Sequence, residues 1–238
     1  MVSLKKALFR LIARLPRGGY RIVRLLARKD VQLETEVGPM WCDLRESICY
    51  PLLQHGTYRY CQAETDWLRR AVGPDDLVFD VGANIGFTAL LFWQRGAKVI
   101  AFEPSPKAFR LLAKTVAGKC DARQLALSDH QGTVFFAELP QLNLSRLSDS
   151  GIEVTAVTID SLPERPTFIK IDVEGFEATV LRGATETMKA GPTIFFEALD
   201  AAALADSTQV ILAANPAYEV RAVSESNYVA ALPGRLNV

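Results

Sequence analysis

Residues 77–104 read LVFDVGANIGFTALLFWQRGAKVIAFEP, and this stretch decides the fold. It contains an apolar strand pattern, a glycine-containing loop, a helix pattern that ends at Gly96, and a second apolar strand pattern. A strand, a helix and a second strand in this order form a right-handed crossover, which places the two strands side by side and parallel. We therefore predict an α/β protein built on a mostly parallel sheet with helices on both faces.

The same alternation of strands and helices continues to the end of the chain. The next helix, SPKAFRLLAKTVAG, begins with the N-cap residue Ser105 and has Pro106 in its first turn. A strand is then predicted in DARQLALSD, and two β-rich segments follow, GTVFFAEL and EVTAVTIDSL. The later elements are the strand TFIKIDVEG, one helix over FEATVLRGATETMKAG, the strand PTIFFEAL, the helix STQVILAAN, and the final strands YEVRAVS and NYVAAL.

The first 65 residues are predicted to lie outside this alternating domain. VQLETEVGPMWCDL alternates in polarity and turns at Gly38–Pro39, which predicts a β-hairpin from Val31 to Leu44. We therefore divide the chain into an N-terminal arm at 1–30, a hairpin with a connecting segment at 31–65, and the main domain at 66–238.

The N-terminal arm is strongly basic. Residues 1–29 contain nine lysine and arginine residues and no acidic residue, so the remaining chain carries a net charge of −9. Apolar and basic residues recur at helical spacing, and PRGG at 16–19 divides the pattern into two short amphipathic helices. Three interpretations remain open: the arm docks on the domain, it lies on an anionic membrane as a peripheral anchor, or it is a mitochondrial transit peptide.

Composition argues against several classes of protein. The apolar content of 49% and the charged content of 23% are typical of a globular domain. No apolar run approaches the roughly 20 residues of a membrane-spanning helix, and Arg10 and Arg14 interrupt any secretory signal sequence. The four cysteines lack zinc-site spacing, so free thiols are expected. These features predict a cytoplasmic protein, whether free or attached peripherally to a membrane by the arm.

The loop after the first strand, FDVGANIGF, has the composition of a cofactor-binding turn. Gly82 and Gly86 permit a tight turn, and Asn84 tolerates the left-handed backbone conformation. A dinucleotide fingerprint that begins at Gly82 would need glycine at position 84. Asp80 ends the strand close to where a pyrophosphate would lie, and a carboxylate there favours a cation. S-adenosylmethionine, which carries an ammonium and a sulfonium group, meets this requirement.

Two later strand ends add polar residues at the same edge of the sheet, where ligands of such sheets bind. Glu103 follows Asp80 by 23 residues, about the distance at which a doubly wound fold presents a carboxylate to ribose hydroxyls. Capping of the helix that begins at Ser105 is the alternative for Glu103. Ser128, after the third strand, is predicted to lie at the edge of the adenine, although a plain turn would use the same residue type.

Five segments together resemble the FkbM-type S-adenosylmethionine-dependent methyltransferases. In order they are DVGANIGFTALL, VIAFEPSPKAFRLL, ALSD, VTIDSL and IKIDVEGFEATVLRGA, and the resemblance covers about residues 50–200. It implies a Rossmann-like class I methyltransferase fold with a seven-stranded sheet and an antiparallel last strand. It also implies transfer of a methyl group, usually to a hydroxyl oxygen of a glycan, a glycolipid or a polyketide-like natural product.

Position by position, the resemblance implies roles for residues at the strand ends. The implied cofactor contacts are Asp80, Gly82, Asn84, Gly86 and Glu103, with Glu103 on the ribose. Asp172 and Glu174 are implied as an acidic pair at the reacting end. Tyr58 and Glu197 are the candidate substrate contacts.

The acidic residues at the end of the strand TFIKIDVEG and just beyond it receive different predictions. Glu174 is expected to act as a catalytic or acceptor-orienting carboxylate, with capping of the next helix as the alternative; general-base assistance is worth about 10²–10⁴-fold. If the backbone is still extended there, Asp172 shares its face while Val173 points away. Asp172 is then expected to position the cofactor or the acceptor. Glu177 is expected only to favour the positive end of the helix dipole.

Residues outside these motifs also bear on the predicted site. His55 is the other candidate for the catalytic base, with a structural histidine as the alternative. Arg59 or Tyr60 replaces an acidic residue that members of the family often have in this segment. His130 and Lys170 are expected to be exposed or to lie at a strand edge.

A metal ion, nucleic acid and NAD are alternatives to S-adenosylmethionine as the ligand. No metal is predicted: Asp172, Glu174 and Glu197 would suit Mg²⁺, but their spacing does not require it. Nucleic acid is not expected as a partner, because the domain is acidic and no base-stacking motif follows the fourth strand. An NAD-dependent enzyme, and a non-catalytic cofactor-fold module recruited to a membrane or biosynthetic complex by the arm, remain as alternatives.

Overall fold

The computed structural model describes residues 30–58, 61–137, 146–148 and 150–235, and every structural statement below refers to these residues. The basic arm lies outside them, together with its three interpretations. Among the helices in the described ranges, none has both the length and the apolar character needed to cross a membrane.

The elements are numbered in chain order. The strands are β1 Val31–Thr35, β2 Gly38–Cys42, β3 Leu77–Val81, β4 Lys98–Phe102, β5 Asp121–Arg123, β6 Ala126–Leu127, β7 Gly132–Ala137, β8 Arg146–Ser148, β9 Ile152–Val157, β10 Phe168–Ile171, β11 Thr193–Glu197, β12 Glu219–Ala222 and β13 Asn227–Ala231. The α-helices are α1 Cys49–His55, α2 Gln62–Ala71, α3 Phe87–Gln94, α4 Pro106–Thr115, α5 Glu177–Arg182, α6 Thr185–Lys189 and α7 Ala201–Ala214.

Seven strands form the central sheet, in the order β12, β13, β11, β10, β3, β4, β5. The five strands from β11 to β5 are parallel, whereas β13 runs antiparallel to both of its neighbours. The predicted class I arrangement, including its antiparallel last strand, is confirmed. The strand order reverses between β3 and β10, and ligands of such sheets bind beyond the carboxyl ends of the strands at this point.

Each face of the sheet is covered by its own hydrophobic cluster, because side chains alternate along a strand. On β3, Val78 belongs to the cluster beneath α3, which contributes Leu90, and Phe79 belongs to the opposite cluster. Val180 of α5 and Ile211 of α7 close that opposite side. Since the parallel strands are buried on both faces, they have the nearly continuous apolar sequences from which they were predicted.

The predicted hairpin exists as β1 and β2 and packs on the main domain. Its turn lies at residues 36–37, two residues before the predicted position, and Gly38 opens β2 with a φ of +96°. The N–H of Trp41 donates a hydrogen bond to Thr115 Oγ1 at 3.0 Å, and Leu33 is buried in the cluster beneath α3. Helix α2 spans the predicted boundary at residue 65, and the division of the chain into domains stays a prediction.

Two predicted elements are each divided in the structure. DARQLALSD forms β5 of the central sheet and then β6, which pairs with β9 in a separate four-stranded sheet of order β6, β9, β7, β8. FEATVLRGATETMKAG forms α5 and α6, and Gly183 ends the first of them. A Cβ at Gly183 would stand 1.9 Å from the carbonyl oxygen of Ser128, so the helix ends where the chain passes against the turn at Ser128.

The last helix begins earlier than predicted. Its predicted span begins at Ser207, but α7 begins at Ala201, because the carboxylate of Asp200 accepts the N–H of Ala203 at 2.8 Å and caps the helix.

Candidate functional site

A cavity of about 420 Å³ lies at the carboxyl edge of the central sheet, beyond the ends of β3, β4, β10 and β11. Helix α2, the first turn of α3 and residues 125–127 contribute to its other walls. Its apolar lining includes Tyr58, Phe87, Phe136 and Phe195. This is the place where the strand-end residues were predicted to meet.

The loop between β3 and α3 forms one wall through its backbone. Gly82, Asn84 and Gly86 all have positive φ, at +77°, +49° and +95°, and all three belong to the loop predicted to turn tightly. The N–H groups of Gly82 and Ala83 both donate to the carbonyl of Phe102 at 3.0 Å, which fastens the loop to the end of β4. Asn84 lines the cavity, and its Oδ1 is buried without a hydrogen-bond partner.

Asp80 lies behind this loop. Its side chain is fully buried, and Oδ2 accepts a hydrogen bond from Thr88 Oγ1 at 2.7 Å. Oδ1 faces Lys170 Nζ at 3.4 Å. Asp80 is not among the residues that line the cavity, so it supports the loop and α3 from within the sheet.

Glu103 closes β4 and is buried, with both of its carboxylate oxygens in use. Oε2 accepts the N–H of Asn84 and Oε1 accepts the N–H of Ser105, both at 2.9 Å. Burial raises the pKa of Glu103 to about 7, although the two N–H groups oppose the rise. Glu103 therefore joins the glycine loop to the start of α4, and it also lines the cavity.

Lys170 contradicts its predicted exposed or edge position. It is 4% exposed in the middle of the sheet, and its ammonium group contacts Gly82 O at 3.1 Å, Asp172 Oδ2 at 3.3 Å and Asp80 Oδ1 at 3.4 Å. Burial alone would lower the pKa of Lys170, but Asp172 and Asp80 outweigh it and hold the pKa above its ordinary value. His130, by contrast, is exposed as predicted, and its ring pairs with Asp129 at 2.7 Å.

The chain turns sharply after β10. Glu174 has a φ of +56°, so the extended backbone on which the alternation of Asp172, Val173 and Glu174 depended is not present, and all three residues line the cavity. A carboxylate residue in the left-handed region is strained, and such strain concentrates at functional sites. Gly175 follows with a φ of +95°.

Glu177 holds this turn in place. Its Oε1 accepts the N–H of Val173 at 3.0 Å and that of Gly175 at 3.2 Å. The side chain is buried, and burial raises the pKa of the carboxyl group above its ordinary value. Glu177 was predicted only as a charge at a helix start, whereas the structure shows it closing the loop that carries Glu174.

The two predicted substrate contacts both line the cavity. Tyr58 is buried with its ring edge-on to Phe87, 4.9 Å between centroids. Glu197 lies at the end of β11, and its pKa is raised to about 8. Burial is the largest cause of this rise, and the negative charges of Asp172 and Glu174 are the next largest. The protonated form of Glu197 is therefore more favoured than that of an ordinary glutamate.

Four predicted site residues do not line the cavity, namely Asp80, Gly86, His55 and Ser128. His55 is exposed at the end of α1 and does not line it. Ser128 is buried, its N–H donates to Val157 O at 2.9 Å, and it does not line the cavity either. Residues 125–127, just before it, do so instead.

Glu64 is a lining residue that sequence reasoning missed. It lies in the first turn of α2, and Asn227 Nδ2 donates to its Oε1 at 3.4 Å, while its Oε2 is buried without a hydrogen-bond partner. The family resemblance implies an acidic residue in this segment, at the position of Arg59 or Tyr60. Both of these residues lie outside the described ranges. Helical periodicity in α2 would have placed Glu64 and Leu68, four residues apart, on one face.

The cavity is acidic. The carboxylate residues that line it are Glu64, Glu103, Asp172, Glu174 and Glu197, and among the described lining residues Lys170 is the cationic one. Together with the unpartnered buried oxygens of Asn84 and Glu64, this charge suits a ligand that carries positive charge and hydrogen-bond donors. Within the described part of the chain, no group of three or more His, Cys, Asp or Glu side chains could hold a metal ion.

Comparison with known protein families agrees with this geometry. The methyltransferase FkbM domain matches residues 80–215, which is more than half of the chain. Two curated proteins are also similar to this chain. The hexuronic acid methyltransferase AglP of Haloferax volcanii is 32% identical over 126 residues, and the 31-O-demethyl-FK506 methyltransferase FkbM of Streptomyces tacrolimicus is 31% identical over 178 residues. The similarity covers 48% and 54% of this chain, and 52% and 68% of the respective relatives, so it spans about half the length of the haloarchaeal protein.

Solved structures support the fold. A methyltransferase FkbM from Methylobacillus flagellatus matches 90% of this chain and 57% of its own with a TM-score of 0.51 at 15% identity. The Trm5b protein of Pyrococcus abyssi matches 86% of this chain and 55% of its own with a TM-score of 0.52 at 13% identity. At such identities these structures show a shared fold and nothing about the substrate.

Proposed function

Because the chain belongs to the FkbM methyltransferase family, we propose that it is an S-adenosylmethionine-dependent O-methyltransferase whose acceptor is a hydroxyl group of a sugar, a glycolipid or a secondary metabolite. Family membership implies S-adenosylmethionine as the methyl donor. Transfer to oxygen is supported by the name of the Streptomyces relative, and a sugar acceptor by the name of the haloarchaeal one.

The observation that carries the proposal is the acidic cavity at the switch point of the sheet. Glu103 is suited to hold ribose hydroxyls, and the backbone of Gly82 and Asn84 to approach the cofactor closely. S-adenosylmethionine, when bound, supplies a methyl group on a positively charged sulfur. The carboxylates of Asp172 and Glu174, which also line the cavity, favour that charge.

At the reacting end, we assign the proton of the acceptor hydroxyl to Glu174. Its strained backbone is fixed by the contacts of Glu177 with Val173 and Gly175, so its position does not depend on the acceptor. The protonated carboxyl of Glu197 can donate a hydrogen bond to a neighbouring oxygen of the acceptor. Holding the acceptor in line contributes more than the proton transfer, since alignment is worth about 7–11 kcal/mol.

The test has two stages. Calorimetry should detect binding of S-adenosylhomocysteine, and a set of hydroxyl acceptors incubated with S-adenosylmethionine should contain one whose mass rises by one CH₂ group. Glu174→Gln should then abolish most transfer while cofactor binding persists. A protein that binds no S-adenosylhomocysteine refutes the proposal, and tight binding of NADH instead would favour an oxidoreductase. Full biological activity of both Glu174→Gln and Asp172→Asn would favour a non-catalytic module.

Association of the basic arm with anionic membranes remains a separate proposal. It predicts that the full chain sediments with anionic liposomes in a salt-sensitive manner and that deletion of residues 1–29 removes this behaviour. Equal sedimentation of the truncated chain would refute it.

A further inference from the structure

Lys170 occupies a position that ordinary sheet packing does not explain. It lies in the interior strand β10, opposite Asp80 of β3 in the parallel register, and its side chain is 5% exposed. A buried charge is costly unless it is paired and hydrogen-bonded. An apolar residue would be expected at such a position in a strand that is otherwise Phe168, Ile169 and Ile171.

The ammonium group contacts three oxygens that belong to different parts of the site: it donates a hydrogen bond to Gly82 O and forms ion pairs with Asp80 and Asp172. Asp80 supports the glycine loop from within the sheet, the carbonyl of Gly82 belongs to the loop itself, and Asp172 follows β10. All three distances lie between 3.1 and 3.4 Å. The side chain therefore joins the cofactor end of the cavity to the reacting end.

The need to neutralise the buried charge of Asp80 does not by itself explain why Lys170 also contacts Asp172. The side chain of Asp172 is 45% exposed and lines the cavity, so water could satisfy it without any contact from Lys170. Lys170 Nζ nevertheless lies 3.3 Å from Asp172 Oδ2 and forms an ion pair with it. The N–H of Asp172 also donates to Val81 O at 3.1 Å, which fixes its backbone beside the loop.

We propose that Lys170 is a positioning residue for methyl transfer, acting through the carboxylate of Asp172. The inference rests on the proposed function. Lys170 holds this carboxylate in one orientation at the cavity wall and ties it to the Gly82 carbonyl, so that the cofactor loop and the acceptor end keep a fixed separation. The charge of Lys170 also stabilises the ionised form of the neighbouring Glu197 and so opposes the rise in its pKa.

A double-mutant cycle of Lys170→Met and Asp172→Asn tests the proposal. If Lys170 acts through Asp172, Lys170→Met lowers kcat by about 10²-fold in the wild-type background, the cost of a misplaced reacting group. In the Asp172→Asn background the same change alters kcat by no more than about twofold, since the positioned carboxylate is already absent. An equal loss of kcat in both backgrounds means that Lys170 is only structural, and it overturns the proposal.

Lys170→Met leaves Asp80 buried without its cation and can fail to fold. The cycle is then measured in an Asp80→Asn background, where Lys170→Met leaves no buried charge at position 80 or 170. An equal loss of kcat with Asp172 and with Asn at position 172 again overturns the proposal.

A carbon-13 NMR titration of Glu197 separates failure of this inference from failure of the proposed function, because it needs neither cofactor nor acceptor. The pKa of Glu197 is expected near 8 in the wild type and higher in the Lys170→Met variant. If S-adenosylhomocysteine does not bind but the pKa rises, the proposed function fails and the electrostatic contact stands. If S-adenosylhomocysteine binds but Lys170→Met lowers kcat equally in both Asp172 backgrounds, the proposed function stands and this inference fails.

Discussion

The backbone of Gly82 lies directly against the carbonyl of Asp172: a Cβ built on Gly82 would stand 1.9 Å from that oxygen. The cofactor loop and the acidic turn after β10 are therefore in van der Waals contact at a point where no side chain fits. This contact brings into one cavity two motifs that lie 90 residues apart in the sequence.

We expect Gly82→Ala to abolish binding of S-adenosylhomocysteine and to destabilise the fold. The left-handed backbone alone costs about 1–2 kcal/mol for a residue with a Cβ, and the clash with Asp172 adds to it. Gly118→Ala is the matched control, because Gly118 has a φ of +72° and nothing within 4 Å of its Cβ position. Calorimetry and chemical unfolding compare the two variants, and equal losses of stability would contradict the contact.

Affinity for S-adenosylhomocysteine should rise with pH below about 7. Burial raises the pKa of Glu103 to about 7, and the ionised form is the one suited to accept hydrogen bonds from ribose hydroxyls. Below this pH the dissociation constant should increase by up to about tenfold per pH unit. Glu103→Gln should bind weakly at every pH, because an amide has one acceptor oxygen for the N–H groups of Asn84 and Ser105. Calorimetry between pH 5.5 and 8.5 tests this, and a pH-independent wild-type affinity would contradict it.

Glu197 should make the protein less stable as the pH rises. Its pKa is about 8 in the folded protein, against 4.5 as the ordinary value, so the folded state binds more protons within this window. The free energy of unfolding therefore falls between pH 4.5 and 8, whereas Glu197→Gln removes this contribution. Between these pH values we expect the free energy of unfolding of the wild type to fall by about 1 kcal/mol more than that of Glu197→Gln. This is less than the full pKa shift would give, because the side chain is partly exposed. Urea unfolding of both proteins at pH 5.5 and 8.5 measures it, and parallel curves would refute the assignment.

Glu177→Ala should lower both stability and methyl transfer. It leaves the N–H groups of Val173 and Gly175 without their acceptor. Each of these groups that stays buried lowers the free energy of unfolding by about 1–3 kcal/mol. It also releases the backbone that holds Glu174 at a positive φ. Glu177→Gln keeps an acceptor oxygen and is the matched control. Unfolding and kcat are measured on both variants, and equal behaviour of Gln and Ala would show that the carboxylate charge matters more than the hydrogen bonds.

Gly183→Ala should destabilise the protein by about 1–3 kcal/mol, because its Cβ would stand 1.9 Å from the carbonyl oxygen of Ser128. Gly73→Ala is the control: Gly73 has nothing within 4 Å of its Cβ position, and we expect a change within about 0.5 kcal/mol. Thermal unfolding of the two variants measures the difference. A tolerated alanine at 183 would mean that α5 and α6 can join as the single helix that the sequence pattern suggests.

Local patterns were sufficient to predict the fold class. The parallel strands are buried on both faces, so each appears as a short apolar run, and turns, N-caps and glycines mark the elements between them. Ser105 caps α4 as predicted, with the N–H of Ala108 donating to its Oγ at 3.3 Å. Strand ends in a parallel sheet share one edge, and this is why Gly82, Glu103 and Asp172 could be placed near one another without coordinates.

The tertiary structure alone decided which of these residues face the cavity and which support it. Asp80 and Lys170 are ordinary strand positions in the sequence, but the register of β3 and β10 places them opposite each other in the interior. Glu64 belongs to a helix outside the five segments that carry the family resemblance, and His55 does not line the cavity. Neither outcome could be predicted, because no local pattern encodes how α1 and α2 pack on the rest of the protein. The sequence determined the chemistry at each strand end. Packing between distant segments decided its geometry, since contacts such as that of Gly82 with Asp172 depend on the distance between two backbones and not on the composition of either.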